Sequence, residues 1–335
     1  MRAVAMQGLH RPLVMTHLPD PAPGPGEVLV AVGRCGICGS DLHMTEDPAY
    51  GQGAGAVLGH EFAGEIAATG AGVEHLRAGM RVAVSPLVSC GNCAACRAGT
   101  VAWCSGFGLQ GGGYAELAVA RANQCVVLPE SASLADGAIV EPLAVALHGV
   151  LLADLAIGDR VLILGAGPIG LAVAFWARRR GAGRVVVLDL ADWQRERALQ
   201  MGAHAYVASA GDPLGEAQAA LGGAADVVFE CVGVPGLIAQ ATGHVRARGT
   251  IVLLGLCTVP DTINSFAMLS KEVRLVTSAF FTTQEFAAAL DALDRGALEP
   301  RLLVSQTIAL GDTPVVFEQL RKRTHQCKVL IDPSD

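Results

Sequence analysis

The sequence is poor in charged residues and lacks the basic cluster that a nucleic-acid-binding protein needs. Charged residues make up 16% of the 335 residues, and the formal net charge is -7. The basic run at residues 178–180 ends an apolar helical pattern, where cations complement the helix dipole. Without a stripe of Lys and Arg to neutralise phosphates, we predict no nucleic-acid partner.

The sequence also lacks a secretory signal and an unbroken membrane-spanning segment. Its first residues, MRAVAMQGLHRPLVM, contain no sustained apolar segment followed by a cleavage site, so we expect a cytoplasmic protein. The uncharged run VLILGAGPIGLAVAFWA, residues 161–177, is slightly short for a membrane span. Its glycines and proline divide it into a strand, a turn and a helix, so we predict no membrane association.

Hydrophobic residues, in contrast, reach 52%, and the chain is long enough for about two domains. From about Ala156, short apolar runs alternate with helical patterns: VLILG precedes a helix from Pro168, VVVLD a helix from Asp192, and DVVFECVG a helix from Pro235. TIVLLG and RLVTSA follow. This alternation predicts βαβ units in a doubly wound α/β fold with a buried parallel sheet.

The first half has a different pattern. It contains Pro/Gly-rich turns and short alternating strand patterns such as EVLVAV and RVAVSP, which predict a mainly-β body with functional groups on its loops. After about Thr283 the sequence shows helical patterns and a final strand pattern, KVLI. We expect this tail to rejoin the first domain.

A glycine-rich segment, Gly165-Ala-Gly167-Pro168-Ile169-Gly170, follows the strand pattern VLIL and begins a predicted helix. In that context it indicates a dinucleotide site, because glycine lets the backbone approach a pyrophosphate at a helix N-terminus. Asp189 ends the next strand pattern, where a carboxylate binds the adenosine ribose and repels a 2′-phosphate. We therefore predict NAD, with NADP as the alternative because Arg195 and Arg197 are near in sequence.

Four cysteines, Cys90, Cys93, Cys96 and Cys104, have the spacing C-x2-C-x2-C-x7-C. Four thiolates close a tetrahedral shell around one zinc ion and leave no position for a substrate, which predicts a structural zinc lobe at about residues 88–106. An iron-sulfur cluster is the alternative. The remaining cysteines are predicted to be small core residues: Cys35, Cys125, Cys231, Cys257 and Cys327.

A second candidate metal site lies on two loops of the first half. CGICGSDLH contains Cys38, Ser40, Asp41 and His43, and GHEFAGEIAATGAGV contains His60 and Glu61. A thiolate and an imidazole are suitable zinc ligands, and incomplete protein ligation leaves an open position for a substrate. The alternatives are a structural His60 and a redox pair formed by Cys35 and Cys38.

Taken together, these motifs resemble the zinc-dependent medium-chain dehydrogenase/reductase family, in particular its sorbitol, threonine and butanediol dehydrogenase branch. The resemblance covers essentially the whole chain, and its most specific motif is G-H-E-x2-G-x5-G-x2-V, present here as Gly59, His60, Glu61, Gly64, Gly70 and Val73. It implies a GroES-like, mainly-β catalytic domain at residues 1–145 and 284–335. It also implies a doubly wound Rossmann domain at residues 146–283 that binds NAD.

The resemblance also implies roles for individual residues. Cys38 and His60 match catalytic zinc ligands, and the four-cysteine lobe matches a structural zinc site, which gives two zinc ions per chain. Asp41 matches a carboxylate that orients the metal-bound histidine, as expected on physical grounds. Ser40 and His43 match a proton relay to solvent. Lys328 matches a basic residue near the cofactor, with a solvated lysine as the alternative.

The third catalytic zinc ligand has two candidates. Glu141, in EPLAVALHG, stands where other family members have a cysteine, as in the polyol and threonine dehydrogenase branch. In that branch this glutamate and the one in GHE can exchange places on the zinc or hold its water. Glu61 and Glu141 are therefore both predicted near the metal, and the sequence does not decide between them.

The implied reaction is the reversible oxidation of a secondary alcohol, in a polyol or vicinal diol, to a ketone. Zinc lowers the pKa of the hydroxyl so that an alkoxide forms near neutral pH, and hydride passes to the nicotinamide. A cyclitol, an aminocyclitol or L-threonine is the alternative substrate. A zinc-binding regulatory protein without activity is the alternative class. The predicted pocket positions are Thr45, Tyr50, Phe107 and Phe280.

Finally, the apolar pattern RLVTSA would form an exposed edge of the second-domain sheet in a monomer. Pairing this edge across a two-fold axis removes the exposed backbone groups. The sequence therefore predicts a homodimer or homotetramer.

Overall fold

A computed structural model describes residues 1–208, 213–322 and 325–335. The described chain divides into two compact units. The first consists of Met1–Glu141, Thr282–Ala297 and Val304–Asp335, and the second of Pro142–Phe281 and Leu298–Leu303. Relative to the predicted domains, residues 142–145 and 298–303 lie in the second unit, and residues 282–283 in the first.

The secondary-structure elements follow in chain order. The strands of the first part are β1 (Arg2–Ala5), β2 (Val14–His17), β3 (Glu27–Gly36), β4 (Glu61–Thr69), β5 (Arg81–Val84), β6 (Leu87–Val88), β7 (Gly108–Leu109), β8 (Leu117–Arg121) and β9 (Cys125–Val127). Its helices are α1 (Gly39–Met44), α2 (Ala94–Arg97) and α3 (Leu134–Leu152).

The second unit follows, with strands β10 (Arg160–Leu164), β11 (Arg184–Asp189), β12 (Ala205–Ala208), β13 (Ala225–Glu230), β14 (Val245–Leu253) and β15 (Arg274–Thr277). Its helices are α4 (Pro168–Arg179), α5 (Arg195–Gln200), α6 (Pro213–Leu221), α7 (Leu237–His244) and α8 (Ser265–Leu269). The tail adds α9 (Thr283–Asp294), β16 (Val304–Ala309), α10 (Thr313–Leu320) and β17 (Lys328–Asp332). Short 3-10 helices lie at Pro48–Tyr50, Val101–Trp103, Ala122–Gln124, Glu299–Leu303 and Leu310–Asp312.

The body of the first unit is a seven-stranded sheet in the order β16-β17-β3-β4-β5-β9, with β8 also paired to β3. Along the first six residues of β3, buried and half-buried positions alternate, as expected for a strand with one face on a core. The tail contributes β16 and β17 to this sheet, where β17 pairs with β3. This mainly-β body agrees with the patterns of the first half.

The register of this sheet decides which loops meet. Between β3 and β4, Gly36 pairs with Glu61, and between β17 and β3, Gly36 pairs with Leu330. Since both pairings are antiparallel, the chain leaving β3, the start of β4 and the start of β17 lie side by side at one end of the sheet. The CGICGSD loop, the GHE segment and the KVLI strand therefore converge there.

The second unit contains a parallel sheet in the order β12-β11-β10-β13-β14-β15. Its central strands are buried on both faces, which explains their continuous Val and Leu runs. The predicted doubly wound α/β pattern is confirmed, and α4 begins at Pro168 as expected. Helices α5 and α7 begin two to three residues later than predicted, and β12 and α6 were not predicted.

Helix α3 is long and apolar enough, by length and composition alone, to cross a membrane, but most of it is buried inside the protein. One buried helix of this kind is weak evidence for a membrane span, because a core helix has the same properties. The run at residues 161–177 forms β10, a turn and part of α4, as predicted.

Candidate active site and zinc-binding lobe

Three potential metal ligands meet at the end of the first unit's sheet. Cys38 immediately precedes α1, His60 immediately precedes β4, and Glu61 is the first residue of β4. Their ligand atoms all lie within 4.8 Å of one another. His60 and Glu61 are buried and Cys38 is half-buried. A thiolate, an imidazole and a carboxylate are a donor set that suits zinc and leaves a fourth position free for a substrate.

Asp41 holds the ring of His60. Asp41 Oδ1 lies 3.1 Å from His60 Nδ1, and Asp41 Oδ2 accepts the backbone N–H of Cys38 at 3.0 Å. The Tyr114 hydroxyl donates to the same Oδ2 at 2.7 Å. Because a carboxylate can only accept, Nδ1 is the nitrogen that carries the proton, and Nε2 is available for a metal.

Asp41 and His60 shift each other's pKa. Burial by itself would raise the pKa of Asp41, but the His60 charge and the hydrogen bonds to this carboxylate lower it overall. Burial would lower the pKa of His60, but the charge and hydrogen bond of Asp41 raise it well above the ordinary value. Asp41 is therefore ionised at neutral pH and remains an acceptor.

Glu61 forms a buried ion pair with Lys328. Lys328 Nζ lies 2.7 and 2.6 Å from the two Glu61 carboxylate oxygens and donates to the Ile37 carbonyl at 3.0 Å. Only 2% of Lys328 is exposed, so the alternative of a solvated lysine is wrong. Burial would lower the pKa of Lys328, but Glu61 raises it above its ordinary value. The predicted role of Lys328 near the cofactor stays a prediction.

Glu141, the other candidate ligand, lies in α3 and is buried. It is not part of the three-ligand group. Burial raises its pKa to about 7, with the charges of Glu61 and Asp41 adding to the effect of burial and those of His60 and Lys328 opposing it. Glu141 is thus close enough for the charges of the cluster to change its pKa, whereas Glu61 is itself one of the three potential ligands.

The predicted relay residues lie on α1. Ser40 Oγ is 3.3 Å from His60 Nε2, so this hydroxyl lies beside the position of the metal. His43 is in the last turn of α1 and is half-buried. The relay through these two residues stays a prediction.

A small cavity adjoins His60 and Asp41 and is lined by Met44, Gln52, Val57, Leu58 and Leu109, with Gly59 and Gly111. The predicted pocket residues are not among them. Thr45 is fully buried, and its hydroxyl donates to the Leu42 carbonyl at 2.7 Å, so its prediction as a pocket residue is wrong.

The four-cysteine lobe has the geometry of a closed zinc site. All four sulfur atoms lie within 4.8 Å of one another, with Cys93–Cys96 and Cys90–Cys96 separations of 3.5 and 3.9 Å. A tetrahedron with Zn–S bonds of about 2.3 Å has edges of roughly 3.8 Å, so the cysteines fit the ion. Desolvation would raise the pKa of Cys96, but hydrogen bonds from Ser89 and Cys93 lower it to about 6, which favours the thiolate.

The other cysteines divide between core and surface. Cys35 and Cys327 are buried, as predicted, and Cys125 and Cys231 are half-buried. Cys257 is exposed, in the loop after β14, so its prediction as a core residue is wrong. The apolar residues around Cys257 belong to an exposed loop and not to a strand.

The glycine-rich segment lies where the parallel sheet offers a nucleotide site. β10 ends at Leu164 and α4 begins at Pro168, with Gly167 as its N-cap. Gly165 has a φ of +98°, and a Cβ on Gly170 would lie 2.0 Å from the Gly165 carbonyl oxygen. Nothing lies within 4 Å of a Cβ built on Gly167, so the backbone there is open to an anion. The turn fits a pyrophosphate.

Asp189 ends β11 beside this turn. Its carboxylate accepts the backbone N–H groups of Ala166 at 2.8 Å and Ala191 at 3.2 Å, which fix it next to the glycine-rich turn. Arg195 donates to Asp192 at 2.7 Å and to the Tyr206 carbonyl at 2.8 Å, with its guanidinium 5.1 Å from the Tyr206 ring centroid. Arg197 donates to the Leu302 carbonyl at 2.6 Å. Both arginines have partners within the unit.

A glycine-rich turn on a parallel sheet, a closed four-thiolate lobe and an open thiolate–imidazole–carboxylate cluster define a dinucleotide-linked, metal-dependent oxidoreductase. Comparison with known proteins identifies the family. Residues 24–130 match the alcohol dehydrogenase GroES-like domain, and residues 168–295 match the zinc-binding dehydrogenase family. The chain belongs to the zinc-binding dehydrogenases.

Similar proteins extend over almost the whole chain. The (R,R)-butanediol dehydrogenase of Bacillus subtilis (strain 168) is 32% identical, covering 95% of this chain and 96% of its own. A short chain alcohol dehydrogenase from Escherichia coli CFT073, solved with NADH, is 30% identical with a TM-score of 0.90 over 99% of both chains. A protein from Sinorhizobium meliloti 1021, described as a zinc-binding dehydrogenase and solved with NADP, is 33% identical with a TM-score of 0.88 over 99% of both chains.

Sequence reasoning missed two contacts of the site, Tyr114 with Asp41 and Lys328 with Glu61. Tyr114 stands in GGGYAEL, where an aromatic residue in a short strand-like pattern suggests only core packing. The tyrosine hydroxyl could have indicated a polar contact in the core, because a buried tyrosine usually has a hydrogen-bond partner.

Proposed function

We propose that the protein is a zinc-dependent, NAD-linked dehydrogenase that interconverts a secondary alcohol of a polyol or vicinal diol with the corresponding ketone. The observation that carries this proposal is the Cys38–His60–Glu61 group, with His60 held by Asp41. Such a group binds a metal and leaves a position for the substrate oxygen. The similarity to a butanediol dehydrogenase supports the vicinal diol as substrate class.

Each residue of the cluster has a proposed task. Zinc held by Cys38, His60 and one glutamate supplies Lewis-acid chemistry that makes a substrate hydroxyl easier to deprotonate. Asp41 keeps Nε2 of His60 directed at the metal, and Lys328 compensates the charge of Glu61. Ser40, beside Nε2, is positioned to accept the substrate proton and pass it toward His43. Glu61 is the better-placed third ligand, and Glu141 is the carboxylate that can replace it.

We propose two zinc ions per chain and NAD rather than NADP. The four-cysteine lobe supports the second zinc, which would hold the lobe and take no part in chemistry. Bound NAD would supply the hydride acceptor. The Asp189 carboxylate, fixed beside the glycine-rich turn, favours the ribose hydroxyls of NAD over a 2′-phosphate. Gly165, Gly167, Pro168, Ile169 and Gly170 would cradle the pyrophosphate.

We also propose a cytoplasmic homodimer or homotetramer. No disulfide joins the cysteines in the part of the chain that the structure describes, which suits a reducing compartment. Strand β15 is the last strand of its sheet, and three of its four residues are exposed. Pairing of this edge between two copies would remove its unpaired backbone groups.

The test of the function combines metal analysis with an activity screen. Purified protein is analysed for zinc and then assayed for NAD-linked oxidation of 2,3-butanediol, sorbitol, a cyclitol, an aminocyclitol and L-threonine. We expect two zinc ions per chain and activity on a diol or polyol. Oxidation of a cyclitol, an aminocyclitol or L-threonine would move the proposal to those substrates. Zinc binding without any oxidation would favour the regulatory protein.

Cys38→Ala is the matched variant for this screen. It should lose one zinc ion and all turnover while keeping its fold by circular dichroism, because Cys38 supplies a ligand and no core packing. Cys257→Ala, at an exposed cysteine outside both zinc sites, is the control and should keep both ions. Full activity of zinc-depleted Cys38→Ala protein would refute the assignment.

The relay has its own test. His43→Ala should slow oxidation mainly at low pH, where removing the substrate proton is hardest. A pH–rate profile that keeps its shape would rule out the relay.

A further inference from the structure

Tyr114 hydrogen-bonds to Asp41, the partner of His60, although its sequence context predicted no role in the site. We propose that its hydroxyl is a positioning group for His60, acting through Asp41, and that it sets how firmly the catalytic zinc is held. This inference rests on the proposed zinc site.

The contact chain runs from Tyr114 to the proposed ligand without interruption. The Tyr114 hydroxyl donates to Asp41 Oδ2 at 2.7 Å, while Asp41 Oδ1 lies 3.1 Å from His60 Nδ1. Tyr114 and Asp41 are completely buried, and 4% of His60 is exposed. Water therefore does not compete for these bonds, and each has more influence on orientation than it would at the surface.

Packing holds the Tyr114 ring in place. Its edge faces Phe317, with 6.5 Å between ring centroids. A Cβ on Gly59 would lie 2.4 Å from the ring, so the ring packs directly on the backbone that precedes His60. The Tyr114 N–H donates to the Leu58 carbonyl at 3.0 Å, and its carbonyl accepts from the Val4 N–H at 2.8 Å. These contacts fix the position of the ring, and they hold the hydroxyl within hydrogen-bonding distance of Asp41.

The two donors to Asp41 Oδ2 control the plane of the carboxylate. One is the Cys38 backbone N–H, on the loop that carries the other ligand, and the second is Tyr114. With both bonds in place, Oδ1 points at Nδ1 and the imidazole ring cannot rotate freely. Without the hydroxyl, one donor remains to fix a buried carboxylate, and the orientation of the ligand nitrogen is less well determined.

The test compares zinc release from wild type, Tyr114→Phe, Asp41→Asn and the double variant after addition of a chromogenic chelator. Partners of a metal-bound histidine typically contribute about 10–100-fold in metal affinity, so Tyr114→Phe should accelerate one release phase about tenfold. If Tyr114 acts through Asp41, the double variant should release zinc no faster than Asp41→Asn. Double-variant effects that multiply would overturn the proposal.

Two controls separate positioning from stability. The zinc of the four-cysteine lobe is an internal reference, and its release phase should not change. Tyr206→Phe removes the hydroxyl of another hydrogen-bonded tyrosine, in the second unit, and should leave both phases unchanged. A lower unfolding temperature of Tyr114→Phe with unaltered release rates would assign Tyr114 a structural role only and overturn the inference.

A measurement on the unaltered chain covers the case in which Tyr114→Phe does not fold. The chain has three tyrosines, so fluorotyrosine labelling gives three fluorine resonances, assigned by Tyr50→Phe and Tyr206→Phe. Removing the catalytic zinc should shift the Tyr114 resonance, and no shift would refute the coupling. A wild-type chain with no zinc at Cys38 would refute the proposed function as well, whereas two bound ions with unchanged release refute Tyr114 alone.

Discussion

The buried charged side chains around the metal position compensate one another, and each would be costly to bury without its partner. Asp41, Glu61, Glu141 and Lys328 are all buried within one small region of the first unit. A buried ion pair contributes little net stability, but removing one partner leaves an uncompensated charge at high cost. Glu61 can therefore be buried beside the metal position only while Lys328 compensates its charge.

Lys328→Met tests this dependence. The variant should lose about 3–5 kcal/mol in the free energy of unfolding when zinc is removed, because Glu61 then has no cation. With zinc bound the loss should be smaller, since the ion supplies positive charge. Urea unfolding with zinc and with a chelator measures the difference. Lys271→Met, which removes a charge and hydrogen bonds to the Thr242, Gly243 and Val245 carbonyls in the second unit, is the control and should show no zinc dependence. Equal losses for Lys328→Met in both conditions would contradict the idea.

Asp189→Asn tests the choice of cofactor. The amide keeps the shape of the side chain but removes the charge that repels a 2′-phosphate. We expect KM for NAD to rise by about tenfold or more, since hydrogen bonds to a charged group are worth roughly 1.5–3 kcal/mol, and KM for NADP to fall. Steady-state kinetics with both cofactors measures the ratio. An unchanged ratio would remove Asp189 from cofactor selection.

In the second unit, the side chain of Asp226 links the ends of three neighbouring strands. Asp226, near the start of β13, accepts the backbone N–H of Arg160 at 2.8 Å and its Nε at 3.1 Å, and Arg246 Nε at 2.5 Å. These arginines lie on β10 and β14, the two neighbours of β13. The pairing with β14 is irregular between Ala225 and Val227. Asp226 thus ties three strands together where the ladder is interrupted.

The contribution of Asp226 should depend on pH. Burial would raise its pKa, but the hydrogen bonds from Arg160 and Arg246 lower it to about 2. Since this is below the unfolded value of about 3.9, Asp226 stabilises the fold above pH 4 and loses that contribution, about 2 kcal/mol, as pH falls toward 2. Urea unfolding at several pH values between 6 and 3 should show a shallower acid loss for Asp226→Asn. Parallel curves for the two proteins would disprove this.

Across the whole molecule, the two cysteine-bearing sites differ in how many protein ligands they offer to an ion. The four-cysteine lobe offers four sulfur ligands for one ion and is hydrogen-bonded to the start of α9, where the Thr283 N–H donates to the Gly99 carbonyl at 2.9 Å. The Cys38 site offers three potential protein ligands, and Asp41 contacts the ring nitrogen of His60 that does not face the metal position. Under the proposed function, the lobe would contribute stability and the Cys38 site would contribute the chemistry.

Assembly should depend on the edge of the second unit's sheet. Leu275, on β15, is exposed, and Phe266 and Leu269 on the preceding α8 are 74% and 72% exposed. Leu275→Lys combined with Leu269→Glu should convert the proposed dimer or tetramer to smaller species in light scattering, because charges oppose burial of this edge. Ile157→Lys, at another exposed apolar residue of the unit, should not. A monomeric wild type would refute the proposed assembly.

Much of the fold and both cysteine sites follow from local sequence. The parallel sheet is predictable because its strands are continuous apolar runs, and the glycine-rich turn because its spacing and position after a strand are distinctive. Short elements such as β12 were missed because four residues carry little periodicity. Thr45 and Cys257 were misassigned because exposure depends on packing that a linear pattern does not contain.

Residue types and spacing were enough to select the four-cysteine lobe, Cys38, His60, Glu61 and the glycine-rich turn as candidate binding groups, and the family resemblance added Glu141. These are short-range motifs, and their residue types alone restrict what they bind. The contacts of Lys328 with Glu61 and of Tyr114 with Asp41 became visible only in the folded chain, because these partners are 267 and 73 positions apart. Strand register brings β3, β4 and β17 to one end of a sheet and so places Lys328 beside Glu61. Backbone hydrogen bonds to Leu58 and Val4 hold the Tyr114 segment. Neither kind of long-range pairing can be read from a local pattern.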